Sequence, residues 1–352
     1  MVKLIFILFL AMATTHASAQ SLDDVIKFIK DNPKKASIVL IENGKETLHF
    51  SGNQIMPLAS AAKTIIAVEF SNQAAAKKLN PDQNIAISEL NKYYIPFTDG
   101  GAHTEWLKSL KKKKGDSVSL LQIAKGMIQF SSNANTEYLE DLLGLANINH
   151  NIKTLKLQQH SLYFYFTAAA LMTCLKPENI DESKWAALLE AMPVDEYRKR
   201  CEANHLKLKA DSTFIKTFNF KNLSMKLQKI WSDRLVASTA ADYANLMQKV
   251  NSRSYFKTEV QSILDQIMEW PMVFPANQQA FKHLGQKGGS TAFIITDAFY
   301  ATDQKEAKVA CAFFFNNLTE KENTMINHNF GGFEASIITD TAFRKKLITA
   351  LL

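Results

Sequence analysis

Cysteine is scarce in this chain, with three among 352 residues, at positions 174, 201 and 311. Three thiols cannot all pair within one chain, and a protein of this length needs no staples, so a disulfide scaffold is excluded. No Cys or His pair has the spacing of a zinc site, so no metal is expected, and no cofactor either. Twelve glycines and eight prolines are too few for a fibrous or low-complexity chain. Past the opening segment no apolar run reaches the roughly 20 residues that span a bilayer, so the mature chain should hold no transmembrane segment. Basic residues interleaved with aromatics are absent too, which disfavours nucleic acid as a partner.

What remains is an ordinary globular composition. Hydrophobic residues make up 47% and charged residues 21%, enough apolar surface for a large core in one or two domains. Lys and Arg number 41 against 34 Asp and Glu, a net charge of +7. Lys111 to Lys114 is a run of four cations. It fits a solvated loop, or an attraction to an anionic envelope surface.

The chain opens with Lys3, an apolar run from Leu4 to Ala13, and then Ala17-Ser18-Ala19. This is the pattern of a secretory signal. Residues 1–19 are expected to be removed, leaving a domain over residues 20–352 in the periplasm or outside the cell. Cys174 and Cys201 could then form one bridge, or stay apart. Cys311, in Val309-Ala310-Cys311-Ala312-Phe313, reads as an inert thiol in a buried strand.

Two β-prone runs, Ser37 to Ile41 and Glu46 to Phe50, flank Asn43-Gly44, which predicts a hairpin. Two more strands are expected over Thr291 to Ala301 and Lys308 to Asn316. Between these groups the pattern is helical, over Ala61 to Leu79, Ser119 to Gln129, Asn135 to Leu143, Glu182 to Ala191 and Thr239 to Val250. A helical segment from Asp340 to Leu352 closes the chain. Strands at both ends with helices between them predict an α+β fold, whose N- and C-terminal strands share one antiparallel sheet.

Three short motifs carry chemistry. Ser60-Ala61-Ala62-Lys63 opens an apolar helix, where residues i and i+3 share a face. The lysine amine can then serve as base to the serine hydroxyl. Ser-x-x-Lys recurs at Ser109/Lys112 and Ser254/Lys257, but both lie in polar, charged stretches. Ser60 also suits an ordinary helix cap. Phe130-Ser131-Ser132-Asn133 lies between two helical patterns and can aim a hydroxyl and an amide into a site, or cap the following helix. Lys287-Gly288-Gly289-Ser290-Thr291 places a cation at an expected strand start, beside a backbone edge along which substrate can lie. It also suits a plain glycine turn.

In this order the three motifs resemble those of the penicillin-recognising serine enzymes, specifically the class A β-lactamase-like, β-lactamase/transpeptidase fold. The resemblance covers nearly all of the mature chain. It implies that Ser60 is the acylated nucleophile and Lys63 its base or proton relay. It implies that Ser131 passes a proton to the leaving group, that Asn133 binds the substrate amide, and that Lys287 supplies positive potential and holds Ser131. Backbone N–H groups of Ser60 and Ser290 would form the oxyanion hole, with Gly289, Ser290 and Thr291 lining the substrate strand.

Three departures from the family pattern stand out. Ser132 replaces an aspartate. Gly288 replaces a hydroxyl residue that helps bind a β-lactam carboxylate, a loss for which Ser290 or Thr291 would have to compensate. The stretch His160 to Thr167 lacks the glutamate that activates the hydrolytic water, and Glu178 is a distant substitute. An insertion is expected at about residues 175–235, as a lid, a partner surface or a passive elaboration. Asp99-Gly100-Gly101-Ala102-His103 is a loop in which His103 is expected to be structural, the alternative being that it faces the cleft. The implied function is an exported serine hydrolase acting on an amide or ester acyl donor, with β-lactams as substrates or inhibitors. A D-Ala-D-Ala carboxypeptidase on cell-wall peptides, an esterase, and a non-catalytic envelope-binding protein are the alternatives.

Overall fold

A computed structural model describes residues 19–352, apart from 97, 114, 212 and 215–222; side chains are described from residue 22 onward. All but the last residue of the expected signal segment therefore lies outside the described residues, as do Lys114 and part of the expected insertion. Among the described residues no helix is long and apolar enough to cross a membrane.

The chain forms two compact units, each discontinuous in sequence. One comprises residues 19–62, Lys153–Ser161 and Ala237–Leu352. It contains α1 (Ala19–Asp31), β1 (Ala36–Glu42), β2 (Lys45–Phe50), β3 (Met56–Pro57) and a 3-10 turn at Ala59–Ala62. The other holds Lys63–Ile152 and Leu162–Val236. It opens with α2 (Lys63–Ala75), β4 (Asn84–Ala86), α3 (Ile87–Asn91), α4 (Ala102–Ser109) and β5 (Ser117–Ser119). It continues through α5 (Leu120–Gln129), α6 (Asn133–Leu143), α7 (Leu145–Thr154), α8 (Phe166–Cys174), α9 (Glu182–Ala191), α10 (Val194–Ala210) and α11 (Met225–Asp233). The first unit then resumes with β6 (Ala237–Ser238), α12 (Ala240–Ser252), α13 (Thr258–Met268) and α14 (Pro275–Ala280). It ends with β7 (Phe281–Ser290), β8 (Ile295–Asp303), β9 (Lys308–Phe315), α15 (Glu320–Thr339) and α16 (Thr341–Leu351).

The fold is α+β, as expected, with an antiparallel sheet in the order β2-β1-β9-β8-β7. Strands from the two ends of the chain meet at β1 and β9, where Leu40 pairs with Cys311. The β1–β2 hairpin turns at Asn43 and Gly44, with φ of 50° and 83°, the left-handed values that favour Asn-Gly. Successive side chains alternate between faces. Ile38, Leu40, Phe299, Cys311, Phe313 and Phe315 join a core with residues of α1, α15 and α16. Phe313 makes edge contacts with Phe299, Phe330 and Phe333. Each such fully buried ring contributes about 1.5–3 kcal/mol from removal of apolar surface. On the other face, Tyr243 of α12 meets Phe314 edge-on at 5.7 Å.

The helical forecasts hold within a turn, except that α2 ends at Ala75, four residues short of Leu79, and several ends are set by caps. Ser119 and Gln122 close a capping box at α5. Thr239 caps α12, and Asp340 caps α16. The late strands differ from expectation. Residues 281–290 form a full strand, so Lys287 lies well inside β7 rather than at a strand start, and Thr291 belongs to the turn before β8. Glycines at 285, 288 and 289, with Lys282, His283 and Gln286, hide this edge strand from any apolar alternation. All three cysteines carry free thiols, so the Cys174–Cys201 bridge is not formed. Cys201 and Cys311 are buried, and burial pushes both thiols up. Lys111 and Lys113 lie exposed beyond α4.

Candidate active site

In the sheet-bearing unit, Ser60 lies on the 3-10 turn that leads into Lys63. Ala59 before it has a φ of 45°, a left-handed conformation that is uncommon for a residue with a side chain. The turn is seated against β7 backbone to backbone. A Cβ added to Gly289 would stand 2.3 Å from the Ser60 nitrogen and 2.8 Å from the Leu58 oxygen. Only glycine permits that approach. Thr296 on β8 ties the two segments, donating its hydroxyl to the Leu58 carbonyl at 2.7 Å and the Gly289 carbonyl at 3.3 Å.

Lys287 is 5% exposed and donates to the Gly288 carbonyl at 2.6 Å. Burial lowers its pKa to about 8, against the opposing pull of Asp297. Asp297 is the cross-strand partner of Gly288. Burial raises its carboxyl to about 7, with Lys287 and the Ala298 N–H pulling the other way. Ser290 ends β7 partly exposed. The Thr291 hydroxyl accepts from the Phe293 N–H at 3.1 Å, a turn-closing role.

The helical unit holds the lysine. Lys63 begins α2 and is completely buried. Its ammonium donates to the Ser131 carbonyl at 2.7 Å, the Ser131 hydroxyl at 3.3 Å and Asn133 Oδ1 at 2.7 Å. Ser131 adopts a left-handed φ of 68°, which brings both its oxygens to Lys63. Ser132 caps α6, accepting from the Asn135 N–H, and its hydroxyl pairs with His103 Nδ1 at 2.9 Å. His103 is buried, which lowers its pKa, and it braces the loop as expected of a structural residue. The loop also holds Asn133, whose amide donates to the Thr98 carbonyl at 3.2 Å. Thus Lys63, Ser131 and Asn133 are brought together within one unit, and Ser60, Lys287, Gly289 and Ser290 lie in the other.

Spacing along the motifs does not reveal the support behind Lys63. The Phe166 ring lies with its centroid 5.3 Å from Lys63 Nζ. Two buried carboxylates of α6 hold the start of α8. Glu137 accepts from the Thr167 N–H at 2.7 Å, and Glu140 from the Phe166 N–H at 3.0 Å. Burial pushes the Glu140 carboxyl well above its usual range, with the Lys63 charge acting against it. Asn133, Glu137 and Glu140 recur at helical spacing on one face of α6, the only linear signal of this arrangement. Among the described residues of the stretch that lacks the family glutamate, no acid takes its place. Glu178 lies exposed between α8 and α9.

Comparison with known proteins agrees with this architecture. The model of the beta-lactamase enzyme family matches residues 17–331. No curated protein matches the chain. Solved structures share the fold at low identity. A beta-lactamase from Sphaerobacter thermophilus is 15% identical, with a TM-score of 0.56 over 91% of this chain and 98% of that one. One from Chitinophaga pinensis is 15% identical, with a TM-score of 0.54 over 90% and 99%. A mutant of PBP-A, solved as its acyl-enzyme complex with penicillin G, is 15% identical, with a TM-score of 0.53 over 90% and 96%. The fold is that of class A beta-lactamases and PBP-A. The chain belongs to the beta-lactamase enzyme family and is a serine hydrolase of that type.

Proposed function

We propose that this is an exported acyl-transfer enzyme that forms an ester on Ser60 with amide or ester donors, β-lactams among them, and releases the acyl group slowly. The observation that carries this reading is the buried Lys63 ammonium, held by Ser131 and Asn133 three residues after Ser60. A lysine so enclosed is poised to take the Ser60 proton when it is neutral. The Ser60 oxygen then bonds to the carbonyl carbon, and the carbon–leaving-group bond breaks. The proton passes by Lys63 and Ser131 to the departing amine or alcohol. Ser60 and Ser290 N–H groups stabilise the oxyanion, while Asn133 and the 289–291 edge orient the donor. Lys287 adds positive potential.

Slow release rests on Phe166. Its ring lies 5.3 Å from Lys63 Nζ, in the stretch that lacks the family glutamate, and the loss of a general base for water there costs about 10²- to 10⁴-fold. A mutant of PBP-A, similar in fold, has been captured as an acyl-enzyme with penicillin G, which supports an acyl-enzyme as the intermediate. The secretory pattern over residues 1–19 supports export.

The test is incubation with benzylpenicillin, followed by intact mass over hours, with Ser60→Ala as control. A lasting adduct on the wild type alone is the expected result. Rapid drug loss without an adduct would mean an efficient β-lactamase. Neither adduct nor loss would favour the esterase or the envelope-binding alternative.

A further inference from the structure

β7 is the edge strand of the sheet. Its Gln286 carbonyl points off that edge, accepting from Trp270 Nε1 at 3.3 Å. Backbone groups two and four residues on, at Gly288 and Ser290, point the same way. A donor laid along this edge as an added strand would run beside Gly288. Gly288 has no side chain, so the nearest functional group on its face belongs to the facing strand. That group is Asp297. Its Oδ1 lies 3.3 Å from where a Cβ on Gly288 would stand. Asp297 is 1% exposed, its Oδ1 accepts from the Ala298 N–H, and Oδ2 has no hydrogen-bond partner among the described residues. Glu334 of α15 is also 1% exposed, with Oε2 likewise unpartnered, and burial, with the Asp297 charge added to it, pushes its carboxyl up. Lys287, the cation beside this pair, already donates to the Gly288 carbonyl.

We infer that Asp297 sets the donor preference: the enzyme is acylated faster by donors that present an amide or ammonium group beside Gly288 than by those that present a carboxylate, benzylpenicillin among the slower. An anionic end brought there would meet a buried carboxylate, with no hydroxyl at residue 288 to receive it. An N–H or ammonium group would instead be favoured by the negative potential of the buried carboxylate, whose Oδ1 lies 3.3 Å from the place a Cβ on Gly288 would take. The inference rests on the acyl-enzyme reading above and narrows it.

Three matched phenylacetyl-glycyl-lactate esters test it, ending in a carboxylate, a primary amide or an aminoethylamide. Release of the lactate portion is measured for the wild type and Asp297→Asn, beside the benzylpenicillin mass assay. The amide and ammonium esters should turn over about tenfold faster or more than the carboxylate in the wild type. Asp297→Asn should raise the carboxylate ester's rate and narrow the gap to about threefold or less. A wild type that handles the carboxylate as fast or faster overturns the inference without recourse to the variant. A preference unchanged in a folded Asp297→Asn also overturns it, leaving the acyl-enzyme reading intact. Silence toward all three esters and toward benzylpenicillin overturns that reading, and the inference with it.

Discussion

The His205 imidazole of α10 sits 2.9 Å from the Glu137 carboxylate of α6, and both side chains are almost fully buried. Its other nitrogen lies 3.2 Å from Asp141 Oδ1, and Lys209 meets the same Asp141 at 2.9 Å. Tyr165 stacks on the ring at 3.6 Å between centroids, with Tyr93 stacked at 5.4 Å. Glu137 passes the connection on through the Thr167 N–H, and the Thr167 hydroxyl donates to the Asn133 carbonyl. A hydrogen-bonded chain thus links α10, within the expected insertion, to the partner of Lys63.

This pair makes the docking of α10 pH-dependent. Burial would lower the His205 pKa, but hydrogen bonds and charge from Asp141 and Glu137 outweigh it and raise it above 6.5. A raised folded-state pKa gives stability that is fully present below about pH 6.5 and is lost as pH rises through the folded value. Urea unfolding followed from pH 6 to 9 should therefore show falling stability, and His205→Ala should lessen the trend, leaving the share of the buried acids Asp297, raised to about 7, and Glu269, raised to about 8. At about pH 6 the same variant should cost about 3–5 kcal/mol, since it leaves Glu137 buried without its cation. A mutant with the wild-type pH trend would remove His205 as its source.

Much of the architecture was legible because local signals agreed with the tertiary outcome. Asn43-Gly44 demanded a hairpin, and Ser119 with Gln122 marked the start of α5. Ser131, Asn133 and Lys63 were legible as motif positions, and the structure shows the first two as acceptors for the third. β7 was not, since its glycines serve contact with the Ser60 turn rather than burial in a core. The place of Asp297 beneath Gly288 depends on strand register, and that of Phe166 beside Lys63 on a helix start held by another helix. Neither relation has a linear spacing to read.

Lys63→Met should abolish acylation of Ser60 by benzylpenicillin, or slow it about 10²- to 10⁴-fold, the usual worth of a general base. The unbranched apolar chain keeps most of the volume while removing the donor to Ser131 and Asn133. Adduct formation by intact mass measures the effect. Near-wild-type acylation in a folded variant would require a different base.

Gly289→Ala tests the backbone contact. Its Cβ would stand 2.3 Å from the Ser60 nitrogen, so β7 and the turn must separate. The expected cost is about 1–3 kcal/mol, as for overpacking elsewhere, with loss of Ser60 acylation. Urea titration and the mass assay read the two effects independently. Unchanged acylation would mean that the spacing between β7 and the Ser60 nitrogen is not needed for oxyanion binding.

Phe166→Glu addresses the slow step. The Phe166 ring is 4% exposed and faces the Lys63 ammonium, so a carboxylate there would gain a cation while losing apolar burial. Its near neighbours Glu137 and Glu140 already hold the adjoining amides, and the added charge would repel both. The variant should be less stable than the wild type by about 1–3 kcal/mol. Its penicilloyl adduct should nevertheless decay faster, toward the 10²- to 10⁴-fold or so that general-base help provides. Phe166→Gln separates the two effects, since it shares the polarity but carries no base. If both variants lose the adduct at the same rate, the ring excludes water rather than occupying the place of a base. If neither loses it faster, deacylation is limited by something other than the group facing Lys63.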